Sequence, residues 1–352
     1  MNSISVRAEI DYEVIVGGNW REFFARVAAA HKKILIVAPS FIAERGELEA
    51  LAKSTGALLF VSPDGESQKD YATVERLWTI LGQEEFGRES AIIAIGGGAT
   101  TDLAGFVAAT WLRGVAWYAI PTTLAGMVDA SVGGKTGINT AAGKNLVGSF
   151  YSPKAVCADL EWLTSLSERD FSAGLAEVIK TGFIRDLSIL DLLESADGVS
   201  GARERSFELV SKSVAVKADV VSADFKEGKL REILNFGHTL GHAIEKHANY
   251  TLRHGEAVSI GLHFAAHLSE GELGLNHSEV ERLTQLLAKF DLPISIDPMQ
   301  LPFADLLSLM AGDKKSRDGR IRFVGLIAAG EPGWIEGASP DLLERTYEKI
   351  LK

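Results

Sequence analysis

A single cysteine, Cys157, stands among the 352 residues, so no disulfide forms within the chain and a reducing compartment is the expected setting. No long basic run occurs either. Asp and Glu number 47 against 36 Lys and Arg, a formal net charge of −11. A nucleic-acid binder needs a Lys/Arg surplus on some face to neutralise phosphate. Nucleic acid is therefore excluded as a partner, although a few lysines lining one pocket can still receive a small anion. No stretch of about 18 apolar residues escapes interruption by charge, and the first twenty residues alternate charge and apolarity without the hydrophobic centre of a signal segment. A membrane partner is thereby excluded and a cytoplasmic location expected. Internal repeats and low-complexity linkers are absent as well.

What is present is 46% hydrophobic and 24% charged residues, with 35 glycines between apolar runs, the composition of an ordinary globular protein. At about 100 to 200 residues per domain, the length makes two domains. The first half alternates strands and helices. Residues 33–37, 57–61, 91–95 and 117–120 are short apolar runs followed by proline or glycine, and Leu77, Ile80 and Leu81 lie between them at helical spacing. Such alternation implies a mostly parallel sheet with helices on both faces. From about residue 159 the texture changes. Amphipathic segments over 170–184, 203–223, 231–248, 256–272, 278–290 and 302–311 predict a helical second half, with a basic turn at 313–320 and one β-like run at 321–327. The boundary falls near 153–159, giving domains 1–157 and 158–352, and a cleft between two such halves is the default ligand site.

Gly96, Gly97 and Gly98 close the third of these strands. Leu103, Phe106, Val107, Thr110 and Trp111 then fall at helical spacing, with Thr101 or Asp102 placed to cap the helix. Glycines there allow close backbone approach, and a helix N-terminus offers unsatisfied N–H groups and a positive dipole to a pyrophosphate. The strict dinucleotide fingerprint fails, because it wants an acid about 20 positions downstream, where the apolar Trp117-Tyr118-Ala119-Ile120 stands. Asp64 and Glu66, after an earlier strand, are the alternative acids. Nucleotide binding and a structural tight turn both stay open on spacing alone. Gly134-Lys135-Thr136 resembles the end of a phosphate loop, but Asp129 stands where its first glycine belongs, against an ATP site. The segment 129–145 holds Lys135, Asn139, Lys144 and Asn145, more than a plain surface hairpin needs.

Glu177 and Lys180 lie three apart on a predicted helix and share a face opposite Phe171, Leu175, Val178 and Ile179, which an exposed ion pair explains as well. Lys217 falls on the apolar stripe Phe207, Val210, Val214 and Val221. A lysine is seldom fully buried without a partner, so an anion in a cleft is expected beside it. Arg231, Asn235, His238, His242 and Glu245 follow at steps of four, three, four and three, one helical stripe. His238 and His242, at i and i+4, can share a metal ion, although Thr239 occupies the place of the zinc-protease glutamate. His254 follows in a turn, and His238 and His254 with a carboxylate such as Glu177 make a second candidate set with one position open. Spacing alone favours His238 with His242. His247, His263, His267 and His277 carry no such context and read as surface or packing residues.

Together these residues resemble 3-dehydroquinate synthase, a family of the shikimate pathway, over nearly the whole chain. The resemblance is carried by Gly96 to Asp102 with Leu103-Ala104-Gly105-Phe106, by Pro121-Thr122-Thr123-Leu124, by 129–145, and by Ala176-Glu177-Val178-Ile179-Lys180. It continues through Asn235-Phe236-Gly237-His238-Thr239-Leu240-Gly241-His242, His254-Gly255-Glu256 and Asp313-Lys314-Lys315. It implies a Rossmann-like α/β NAD-binding domain followed by a mainly α-helical metal- and substrate-binding domain, a homodimer, and as cofactors NAD and one divalent metal, zinc or cobalt. The implied reaction is that of a lyase, from 3-deoxy-D-arabino-heptulosonate 7-phosphate to 3-dehydroquinate and phosphate. The C5 hydroxyl is oxidised with NAD, phosphate leaves by β-elimination, the ketone is reduced again, and ring opening leads to an intramolecular aldol closure with no net redox change. Oxidation acidifies the neighbouring proton, so elimination needs only a modest base, work the family account gives largely to the substrate's own phosphate.

By the same resemblance Glu177, His238 and His254 match the metal ligands, which sets His242 aside as one. NAD positions are matched by Asp64, Gly65, Glu66, Ser67, Gln68 and Lys69, by Gly98, Ala99, Thr100, Thr101 and Asp102, by Thr122 and Thr123, by Lys135 and Lys144, and by Trp162, Leu163, Thr164 and Ser165. Asn145, Lys180, Asn235, His242 and Lys314 match the substrate-phosphate pocket, joined by Arg113, which in the family reaches in from the other subunit. Lys135, Lys217 and Arg231 match contacts to the substrate's carboxylate and hydroxyls, and Asp129 and Glu227 match hydroxyl and water partners. One departure stands out: Thr101 occupies a position where the family usually has glycine, so either the pyrophosphate site is perturbed by the loss of a positive φ or close approach, or a threonine cap donates a hydrogen bond instead. Two other activities fit the fold. A metal-dependent polyol dehydrogenase would leave Lys135, Lys180, Lys217 and Lys314 nothing to neutralise, and a sedoheptulose 7-phosphate cyclase would not need Arg231, Asn235 and His242 intact.

Overall fold

The computed structural model describes residues 1–249, 251–312 and 321–352. The expected basic turn at 313–320, with Lys314, lies outside them. The chain divides into two compact units, Met1–Leu166 with Lys217–Lys226, and Ser167–Val216 with Glu227–Lys352.

The apolar runs of the first unit become strands β1 (Asn2–Val6), β2 (Tyr12–Val16), β3 (Ile34–Pro39), β4 (Leu58–Ser62), β5 (Ala91–Gly96), β6 (Ala116–Pro121), β7 (Lys135–Thr140), β8 (Gly143–Phe150) and β9 (Ala155–Ala158). Seven of them form one sheet in the order β1-β2-β9-β6-β5-β3-β4, parallel except for β1 against β2. Strands β3 and β5 are buried along their whole length, which is why each reads as an unbroken apolar run. In β2, Tyr12, Val14 and Val16 are buried while Glu13 is exposed, so the alternation in the first twenty residues is a strand pattern. The sequence reading placed no strand there. Helices α1 (Trp20–Ala30), α2 (Ser40–Ala43), α3 (Glu47–Thr55), α4 (Tyr71–Gln83), α5 (Gly98–Thr110) and α6 (Glu161–Thr164) complete this unit. Asn19 and Asp70 cap α1 and α4 with their side chains.

Strand order fixes where this unit can hold a ligand. β4 lies outside β3 and β5 on its other side, so the winding reverses between β3 and β5. Crevices at such reversals, beyond the carboxyl ends of the strands, are where open parallel sheets bind ligands. α5 starts there, directly after β5, and a 3₁₀ turn at Gly65–Gln68 follows β4. The segment 129–145 forms the tip of a π-turn and most of the β7–β8 hairpin. The two strands approach so closely that a Cβ at Gly148 would lie 2.3 Å from Thr136 O.

The second unit is helical, as its amphipathic segments predict. It comprises α7 (Glu168–Ile184), α8 (Leu187–Glu194), α9 (Gly198–Glu204), α10 (Ser206–Ala223, whose residues from Lys217 belong to the first unit), α11 (His238–His247), α12 (His254–Glu272), α13 (His277–Lys289), α14 (Phe303–Ala311) and α15 (Pro340–Glu348). A hairpin of β10 (Arg322–Ala328) and β11 (Glu331–Glu336) accompanies them. Two expected helices are each divided. Residues 203–223 span α9 and α10, and 231–248 separates into a 3₁₀ turn at Leu230–Asn235 and α11. The second break has a cause: Gly237 adopts a left-handed φ of 79°, a conformation glycine tolerates and most residues do not.

Leu240 and Ile244 of α11, Ile260 and Phe264 of α12, Phe323 of β10 and Tyr347 of α15 form one buried cluster in this unit. The Phe264 and Phe323 rings lie 5.8 Å apart. Among the described residues no helix is long and apolar enough to cross a membrane. Truncating Phe264 to alanine removes a ring from the centre of this cluster, so we expect a loss of about 3–5 kcal/mol, read as a lower denaturation midpoint in urea.

Candidate functional site

Three helices of the second unit approach one another at backbone distance. Ser167 caps α7, and the helix is buried without a break from Phe171 to Ile184. Glu177 and Lys180 are therefore inside the protein. The pair that spacing also allowed as an exposed one is 1% and 2% exposed, with Lys180 Nζ against Glu177 Oε2.

α12 begins at His254. A Cβ on Gly255 would lie 1.7 Å from Ala173 O of α7, and a Cβ on Gly261 would lie 1.9 Å from Gly237 O at the start of α11. Neither position admits a side chain, so α12 rests on both neighbours at once. That closeness brings Glu177 Oε1 to 3.4 Å from His238 Nε2 and 3.2 Å from His254 Nε2. The far ring nitrogens are also engaged: His238 Nδ1 lies 3.1 Å from Phe236 O, and His254 Nδ1 lies 3.1 Å from Glu245 Oε2.

Burial acts on these groups in opposite senses. It would raise Glu177, yet Lys180 and the His238 and His254 imidazoles hold its carboxyl well below the usual range. Burial and the Lys180 charge push His238 down to about 3, so its ring is neutral and its Nε2 lone pair is available. Desolvation would lower His254 too, but the Glu245 and Glu177 carboxylates outweigh it and hold it above the ordinary imidazole range.

Two groups among the described residues bring ligand atoms within 4.8 Å of one another, Glu177 with His238 and His254, and His242 with Glu245 and His254. The pairing favoured by spacing, His238 with His242, occurs in neither, although their ring centroids are 5.3 Å apart. The five-residue stripe is likewise not one helix. Arg231 and Asn235 belong to the 3₁₀ turn, and only His238, His242 and Glu245 share α11. Arg231 is buried, and Asn235 donates to Glu227 Oε1 at 3.0 Å. Two imidazoles and a carboxylate, with each far nitrogen held on oxygen, are the donor chemistry of a zinc site that keeps a fourth position for a ligand.

The chain matches the family model for the N-terminal part of 3-dehydroquinate synthase over residues 59–173 and that for its C-terminal part over 174–316. A 3-dehydroquinate synthase of Mycolicibacterium vanbaalenii is 45% identical over 355 residues, covering 99% of this chain and 98% of the relative. The chain belongs to the 3-dehydroquinate synthase family. A solved 2-epi-5-epi-valiolone synthase from Streptomyces hygroscopicus subsp. jinggangensis, with NAD+ and Zn2+ bound, superimposes with a TM-score of 0.88 at 26% identity, over 99% of this chain and 98% of that one. A 2-deoxy-scyllo-inosose synthase complexed with carbaglucose-6-phosphate, NAD+ and Co2+ shares the fold, with a TM-score of 0.88 at 23% identity over 99% and 100%.

The positions that resemblance to the synthase family assigns to NAD lie in the first unit. α5 starts after Gly97, with no side-chain cap, which leaves first-turn N–H groups for another acceptor. Thr101 and Asp102, the cap candidates of the sequence, do not cap it but stand inside the helix, Thr101 in its first turn and Asp102 just beyond. Thr101 is buried and helical, its hydroxyl donating to Gly98 O at 2.9 Å, so the position requires no positive φ. Lys69 donates to Asp102 Oδ2 at 2.6 Å and to Asn145 Oδ1 at 2.5 Å. Glu66 lies 3.3 Å from Lys69 and 3.8 Å from Lys144 and accepts from Asn139 at 2.9 Å. Burial lifts Asp102 above the usual carboxyl range against the pull of Lys69, whereas Lys69 is desolvated yet held above its ordinary value by Asp102 and Glu66.

Gly65 initiates the 3₁₀ turn at a φ of 62°, and Ser67 and Gln68 bond back to Asp64 O and Gly65 O. Asp64, exposed, accepts from Ser40 Oγ and Phe41 N. Thr100 and Thr122 are buried, and Thr123 Oγ1 accepts from Gly126 N. Trp162 packs on Trp20 with ring centroids 5.3 Å apart, Leu163 is buried, and the Thr164 and Ser165 hydroxyls bond back to Glu161 O and Trp162 O. Lys217 is buried, but the anion beside it is internal: Nζ donates to Asp129 Oδ1 at 2.6 Å and to Asp129 O. Lys135 is exposed at the start of β7, and Arg113 is exposed with a φ of 63°.

Three structural contributors have no assigned role in the sequence. Glu245 stood on the stripe without a role, and its signal is the seven-residue step from His238, two turns along one face. Gly255 stands in the His254-Gly255-Glu256 motif, but neither it nor Gly261 signals a close approach of helices, because what they permit is contact with residues distant in the chain. Replacing Gly255 by alanine is expected to wedge α12 off α7 and weaken zinc affinity by about 10-fold or more, with helical content in far-UV circular dichroism retained. Competition with a chromogenic chelator measures the first.

Proposed function

We propose that this member of the family carries out the synthase reaction with NAD at the start of α5 and a divalent metal, zinc or cobalt, on Glu177, His238 and His254. The observation that carries the reading is the single Glu177 carboxylate oxygen facing the Nε2 atoms of both histidines. When bound, NAD accepts and returns a hydride at the substrate's C5 and the metal polarises the oxygen there. The donor set fits the metal, and the uncapped α5 N-terminus at the strand-order reversal fits a pyrophosphate.

The chain's own residues bind and orient the rest. Lys180, held by Glu177 in a buried position, presents a fixed ammonium, and with His242 and Asn235 we assign it to the substrate phosphate. Asn145, tied to Lys69, takes the same assignment. Arg231 and Lys217 are the buried cations assigned to the carboxylate and hydroxyls, with Asp129 aligning Lys217 and Glu227 aligning Asn235. Lys135, at the start of β7, takes the same assignment. The exposed Arg113 is assigned to the second subunit of a homodimer. His238, neutral and buried, keeps its proton on Nδ1 toward Phe236 O, so it does not act as the base of the elimination. The acidified proton on the carbon beside the oxidised centre goes instead to the substrate's own departing phosphate.

Purified enzyme with zinc and catalytic NAD is expected to release phosphate from 3-deoxy-D-arabino-heptulosonate 7-phosphate without accumulating reduced nicotinamide absorbance. Steady accumulation would point to a polyol dehydrogenase, and release from sedoheptulose 7-phosphate alone would overturn the assignment. Replacing Lys180 by alanine should weaken phosphate-bearing ligands more than phosphate-free analogues, by about 10-fold or more for a lost charged contact. Equal losses in calorimetric titrations would count against its place in the pocket.

A further inference from the structure

We infer that Glu245 is the positioning residue of the metal centre, holding the His254 ring so that Nε2 faces the metal, an inference that rests on the metal reading above. The two histidines are held in different ways. His238 is 8% exposed and leans on a backbone carbonyl, Phe236 O, fixed by the turn that starts α11. His254 is the first residue of its helix, and its side chain is 39% exposed. Packing alone leaves such a ring free to rotate. Glu245 Oε2, on a side chain only 4% exposed, stands 3.1 Å from its Nδ1, so it fixes the rotation of the ring, and when a metal displaces the Nε2 proton it keeps the remaining proton on Nδ1 and leaves the Nε2 lone pair to the metal.

Glu245 could instead be a ligand itself, since His242, Glu245 and His254 also bring donor atoms together. A metal on Nδ1 while Nε2 holds another would require an imidazole stripped of both protons. Donation from Nδ1–H to a carboxylate leaves the neutral ring that zinc binding uses. The same arrangement, far nitrogen on an oxygen and near nitrogen inward, already holds at His238.

The test measures zinc affinity and stoichiometry of the full-length chain by chelator competition, for the natural protein and for Glu245→Ala, Glu245→Gln and His254→Ala. We expect one zinc per chain, a Kd raised about 10- to 100-fold in Glu245→Ala, and partial rescue in Glu245→Gln, whose amide oxygen still accepts from Nδ1–H. Where the alanine variant does not fold, a Kd raised about fivefold in the glutamine variant carries the test. An affinity within twofold of the natural protein, in the alanine variant or in the glutamine variant that replaces it, overturns the inference. So does a stoichiometry of two falling to one, which makes Glu245 a ligand. Unchanged zinc binding in His254→Ala would instead sink the metal reading on which this rests.

Discussion

A carboxylate with no access to water has to be compensated where it stands, and Glu177 is such a group. An isolated buried charge costs several kcal/mol even after relaxation, and α7 is buried along most of its length. Lys180 supplies the opposite charge one turn away and His254 a ring N–H, while the neutral His238 turns a lone pair to the same oxygen, as two ligands of one cation would. The packing of α7, α11 and α12 is thereby tied to one oxygen atom. Separating the helices would leave Glu177 with its lysine alone and two imidazoles without their common partner.

That requirement explains glycines that cost stability locally. Glycine inside a helix is about 1 kcal/mol worse than alanine, yet Gly241, Gly255 and Gly261 all occur inside α11 or α12. In return the helices meet backbone to backbone, and His254 reaches Glu177 from 77 positions away. Any side chain at Gly255 or Gly261 sets a larger separation, which the short contacts to Glu177 cannot follow.

The sheet was legible because its physics is local. Buried parallel strands appear as apolar runs, and their ends are marked by proline and glycine, so β3, β5 and β6 could be placed nearly to the residue. β1 and β2 escaped because a half-buried strand shows only alternation, which was read as charge patterning. The stripe from Arg231 to Glu245 misled in the opposite way. Its spacing suits one helix, but Gly237 turns the chain through a left-handed conformation and divides it. The metal set was beyond spacing altogether. His238 and His242 are the local pair, whereas Glu177 and His254 join His238 through tertiary contact, so donor chemistry offers them as a second candidate set and resemblance to a known family is what prefers it.

The overall charge of −11 and the deeply placed cations have one physical account. The sequence predicts an anion in a cleft beside Lys217, but that lysine has an acid of its own in Asp129, as Lys180 has Glu177 and Lys69 has Asp102. Internal pairing keeps an ammonium charged out of water and fixes its direction, at the expense of neutralising part of the field that a ligand would feel. The presence of lysines therefore no longer argues against an uncharged polyol substrate, and membership of the synthase family carries that decision instead. A phosphate dianion does retain one advantage over a polyol here. It can share an already oriented ammonium with its carboxylate and adds charge-assisted hydrogen bonds, so the same pairs that stabilise the empty protein also favour the more highly charged ligand.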